Sequence, residues 1–71
     1  MLYDYSKLSG KIKEVCGSQA AFAEALGVSE RTVSIKLNNK NEWKQGEIMQ
    51  CCKILKIRKE RIPMYFFTPL C

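Results

Sequence analysis

A chain of 71 residues, 46% hydrophobic and 27% charged, has the composition of one ordinary globular domain spanning 1–71; it excludes a disordered tail and leaves little room for an enclosed substrate pocket. A chain this short buries only about 60% of the surface its unfolded form exposes, so pairing with a second copy is a ready source of added stability. The formal charge of +5 favours a polyanionic partner, nucleic acid first and an acidic membrane surface second.

The pattern predicts five helices and no strand, an all-α domain. The first, over 5–16, sets Tyr5, Leu8, Ile12, Val15 and Cys16 on one stripe, with Asp4 as its N-cap. Gly10 inside it costs about 1 kcal/mol relative to alanine. Gly17 suits the left-handed residue that closes a helix, and Ser18 caps the next one. The second helix, over 19–26, turns Phe22, Ala23 and Leu26 inward; Gly27 breaks it, Val28 is apolar in the turn, and Ser29 caps a third helix over 30–38. There Val33 and Leu37, four apart, point into the core.

"NNKN" (38–41) signals a turn, and Trp43 after it is placed to anchor the loop on the core through its indole ring. The fourth helix, over 45–55, carries Ile48, Cys51, Cys52 and Leu55 at i, i+3, i+4 and i+7. A last helical piece near 58–67, with Ile62, Tyr65 and Phe66, is either kinked at Pro63 or begins there. The basic run "KILKIRKER" (53–61) reads as a solvated face. The ending "YFFTPLC" holds Tyr65, Phe66, Phe67 and Leu70, more than one helix face can bury; the surplus is the expected seat of a two-fold homodimer contact.

Cys16, Cys51, Cys52 and Cys71 lack a disulfide or zinc spacing, and the chain has no histidine. With no signal peptide and no apolar run approaching the length of a membrane span, a reducing cytoplasmic setting is expected, with cysteine serving as a small hydrophobe. No cofactor, structural metal or small-molecule ligand is expected, and no nucleophile–base pair points to an enzyme.

The outward face of the third helix is the informative one. Opposite Val33 and Leu37 lie Arg31, Ser34, Ile35 and Asn38, with Glu30 beside them at the first turn. A guanidinium, a carboxylate, a hydroxyl, an amide and an apolar side chain are the groups that discriminate base edges in a major groove. Lys36 lies off this row, as a solvated lysine or one reaching a phosphate.

The stretch "QAAFAEALGVSERTVSIKLNNK" resembles the helix-turn-helix of the phage repressor and Cro family, the lambda repressor-like DNA-binding domains. Gln19 opens the motif, Ala23 is the small residue where two helices touch, Gly27 sits in the turn, and Val28 and Val33 match the apolar positions that follow. The resemblance implies a compact five-helix fold whose third helix enters the major groove. It places Ser29, Glu30, Arg31, Ser34 and Ile35 on base edges or nearby phosphates, Gln19 at a helix N-terminus facing a phosphate, and Asn38 and Lys40 on the opposite backbone. The implied function is a sequence-specific regulator of double-stranded DNA, a phage-type repressor acting as a homodimer by operator occupancy. The alternative is an adaptor or anti-repressor that uses the same scaffold to bind a protein.

Overall fold

A computed structural model describes residues 2–70, so Cys71 lies outside the described residues. In chain order come α1 (Ser6–Cys16), α2 (Gln19–Leu26), α3 (Glu30–Leu37), α4 (Gln45–Leu55), a 3-10 turn (Lys59–Arg61) and α5 (Ile62–Phe66). The fold is the expected small all-α one. Among the described residues no helix is long and apolar enough to cross a membrane.

Local chemistry sets the helix ends. The Oγ of Ser18 accepts the Ala21 N–H at 3.0 Å, and that of Ser29 accepts the Thr32 N–H at 3.2 Å, each satisfying one of the free donors at a helix start. Gly17 and Gly27 close α1 and α2 at φ +86° and +83°, conformations that a Cβ would strain. The last helix begins one residue before its proline: Ile62 opens α5 and Pro63 follows it, still in the first turn, where its missing N–H removes no helical bond.

Two expectations for α1 need correction. Asp4 is not its N-cap. The helix starts at Ser6 with Tyr5 at the cap position and no side-chain cap, because Tyr5 buries its ring in the core; Asp4 Oδ1 instead accepts the Ser6 N–H at 2.9 Å and the Ser6 hydroxyl at 2.6 Å. Those bonds, the hydroxyl's first and then the amide's, hold the Asp4 carboxyl below its ordinary value. Val15, at the margin of the stripe in the last turn, is 42% exposed rather than packed.

The core gathers Leu8 and Ile12 of α1, Phe22 and Ala23 of α2, Val33 of α3, Cys51 and Leu55 of α4, and Phe66 of α5. Trp43 anchors its loop as expected, its ring edge-to-face with Phe66 at 5.7 Å. Burial, with the neighbouring Cys52 a smaller cause, pushes the Cys51 thiol up to about 12.

The N-terminal segment is clasped on both edges. The Asp4 N–H donates to the Thr68 carbonyl at 2.7 Å and the Leu70 N–H to the Leu2 carbonyl at 3.0 Å, forming a lone antiparallel bridge between Tyr3 and Pro69. On the other edge the Asn39 side chain takes the place of a strand. Its Oδ1 accepts the Tyr3 N–H at 2.9 Å and its Nδ2 donates to the Tyr3 carbonyl at 2.8 Å. Asn39 does this from a left-handed backbone at φ +62°, which asparagine tolerates better than most residues.

Candidate functional site

The α2–α3 pair places the outward face. Ala23 is buried where the two helices meet, and the Val28 N–H donates to the Ala23 carbonyl at 3.0 Å, closing the turn tightly. This fixes the direction in which α3 leaves the turn. Its buried positions are Val33 and Lys36, with Leu37 only half-buried.

Lys36 is therefore neither solvated nor free to reach a phosphate. It is 4% exposed; its ammonium pairs with Glu47 Oε1 at 3.0 Å, donates to the Glu42 carbonyl at 2.9 Å and lies 5.8 Å from the centre of the Trp43 ring. The signal was present in the spacing: Val33, Lys36 and Leu37 are at i, i+3 and i+4, one helical stripe. A long apolar stem can follow such a stripe while its charge finds a partner beyond it. The Glu47 carboxylate also accepts the Lys44 N–H at 2.8 Å, so one side chain starts α4 and holds α3.

Burial alone would raise the Glu47 carboxyl, but the bonds from the Lys44 amide and the Lys36 ammonium outweigh it and hold the group below its ordinary value. The unfolded chain then binds this proton more readily than the folded one, so stability from Glu47 is present above the ordinary carboxylate range and lost as pH falls through the native value. Glu47→Gln should be less stable than the parent at pH 7, with the gap narrower at a second pH below the ordinary carboxylate range. Urea midpoints at the two pH values check this; an equal gap at both would contradict it.

The remaining predicted residues divide into three groups. Arg31, Ser34, Ile35 and Asn38 do share the outward face of α3; Arg31 and Asn38 are exposed, and Ser34 and Ile35 half-buried. Asn38 is partly committed, since its Nδ2 donates to the Ser34 carbonyl at 2.8 Å. At the start of α3, Glu30 is exposed and Ser29 is occupied by the cap, its hydroxyl also bonded to Thr32 Oγ1 at 2.9 Å. Gln19 and Lys40 lie off the helix: Gln19 opens α2 and shares a shallow cleft with Leu37, while Lys40 is exposed in the turn after α3.

The face thus presents one guanidinium beside one carboxylate, around a half-buried isoleucine. Away from it, Phe67 and Leu70 are the apolar surplus of the C-terminal segment, each about half exposed, with Leu2 beside them.

The family described as "Protein of unknown function (DUF739)" matches residues 1–69. The chain is also similar to the solution structure of the modulator of repression (MOR) of the temperate bacteriophage TP901-1 from Lactococcus lactis. The two are 55% identical, with a TM-score of 0.83, over 94% of this chain and 90% of that one. No curated protein matches the chain.

Proposed function

This chain belongs to the DUF739 family, and on that footing we propose that it is a phage regulatory protein that docks on a repressor protein and modulates it, rather than an operator-binding repressor itself. The contact surface is the outward face of α3. The observation that carries this reading is the low positive charge of that face. Lys36 is withdrawn into the ion pair with Glu47, the Asn38 amide is bonded to Ser34, and Arg31 is left as the one cation on the face, with Glu30 next to it in the chain. A duplex rewards several cations on phosphates, whereas the centre of a protein interface favours arginine with apolar side chains and few other charges. Likeness to a phage modulator of repression supports the same partner class. Phe67, Leu70 and Leu2 offer a separate apolar surface for self-pairing.

The second reading, in which α3 enters a major groove, is favoured by one observation: Arg31 and Lys40 are both exposed, at the start of α3 and just past its end. One experiment separates the two. The purified chain is titrated calorimetrically against the repressor of the phage genome that carries it, and separately used to select from a random duplex pool. Ile35→Asp should weaken repressor binding by about 2 kcal/mol or more, as for other central interface residues, and no duplex sequence should be enriched. Enrichment of a sequence that Arg31→Ala relaxes, with repressor binding absent, would overturn the docking reading in favour of base reading.

A further inference from the structure

The basic run 53–61 does more than coat the surface. Lys56, Arg58 and Arg61 converge with Lys11 of α1 and Tyr65 of α5 around one cleft of about 310 Å³, floored by Ile57. The cleft is built from α1, the link after α4, the 3-10 turn and α5; neither α2 nor α3 lines it. Its rim offers ammonium, guanidinium and phenol donors and no carboxylate. Among the described residues no carboxylate lies within ion-pair distance of Lys56, Arg58 or Arg61, and Lys11 has only a 3.9 Å contact with Glu14.

A second observation singles out Lys56. It closes α4 at φ +56°, in the left-handed conformation, with the Ile57 N–H returning to the Cys52 carbonyl at 3.0 Å. Glycine takes that position without strain, as it does at the ends of α1 and α2. A lysine held there is a cation kept at a backbone cost, at the mouth of a cleft already lined with cations.

We propose that this cleft seats the phosphodiester backbone of double-stranded nucleic acid, independently of sequence and of what α3 contacts. Phosphate is favoured over an acidic segment of a protein because the cleft offers the half-buried Tyr65 ring as its one apolar surface and is otherwise rimmed by cations. Ile57 is buried beneath it, and the exposed large hydrophobics (Leu2, Val15, Met49, Phe67 and Leu70) are not among its lining. Protein interfaces depend on such anchors and are depleted in lysine, whereas backbone contact depends on clustered cations alone. The two arginines supply forked donors that match phosphate oxygens, and Lys53 and Lys59 extend the charge on the same segment of chain.

The test is anisotropy of a labelled duplex of mixed sequence, measured over a range of salt concentrations with the full chain. Lys56→Gly, and separately the double variant Arg58→Gln/Arg61→Gln, should weaken binding to every sequence alike; Lys56→Gly should flatten the dependence of log K on log salt by about one unit. Arg31→Ala should leave that slope unchanged. Lys56→Gly removes the left-handed strain, so its thermal midpoint should not fall, and a loss of binding cannot then be laid to unfolding. Slopes unchanged in both cleft variants would overturn the proposal, as would flattening by Arg31→Ala alone. Competition by polyglutamate as effective as that of unlabelled duplex at equal charge would also overturn it, reassigning the cleft to an acidic protein segment.

Discussion

Lys36→Ala should lower the unfolding free energy by about 3–5 kcal/mol, the range for breaking a buried ion pair from one side. Domains of this size are stable by roughly 4–11 kcal/mol, so the variant would sit near the edge of folding at room temperature. Three losses coincide. The Glu47 carboxylate keeps its desolvation without its partner, the Glu42 carbonyl loses a donor, and the stem against Trp43 leaves a void. Glu47 is 24% exposed at its side chain, so water replaces part of the lost bonding and the lower end of the range applies. Lys36→Met combined with Glu47→Gln keeps the stem and removes the stranded charge, and should recover part of the loss. Urea denaturation of these variants beside the exposed Lys53→Ala decides the matter; equal midpoints for Lys36→Ala and Lys53→Ala would show that the buried pair contributes nothing.

Phe66→Ala should cost about 3–5 kcal/mol, and its effect should spread along the chain. α5 has five residues and no side-chain cap, too short to persist without packing, and Phe66, 1% exposed against Trp43, is its main anchor. Without that ring the segment loses its hold on the core. Thr68 and Leu70 then release the bridge to the N-terminal segment, and Tyr65 leaves the basic cleft. Phe67→Ala, one residue on, removes a ring that is 47% exposed, and should change stability far less. Denaturation midpoints and limited proteolysis of the C-terminal segment should separate the two. Equal losses would mean that α5 is not held by Phe66.

These effects mark where the sequence could and could not be read. Ser18, Ser29, Gly17 and Gly27 act on backbone groups within three or four residues, so their roles follow from local rules, as does the α4 stripe of Ile48, Cys51, Cys52 and Leu55. Asp4 failed as a cap because the competing demand came from the core, which needed the Tyr5 ring. Lys36 lies off the outward row of α3, but its charge argues for solvent, and its partner Glu47 is on another helix. Asn39 reaches back 36 residues to Tyr3, a pairing no local pattern announces. The resemblance to helix-turn-helix domains led to the right fold class, but the partner depends on the face left outside. That face is set by which charges the core withdraws, and a shared shape does not specify it.

The thiols of α1 and α4 differ in a way that makes the molecule its own chronometer. Cys51 is sealed at 0% exposure with its thiol raised to about 12, so almost none of it is thiolate at neutral pH, and alkylating reagents find it only when the core parts. Cys16, half-buried at the end of α1, meets the same reagent without that event. Labelling of the second marks time in the folded state; labelling of the first counts how often the core breathes.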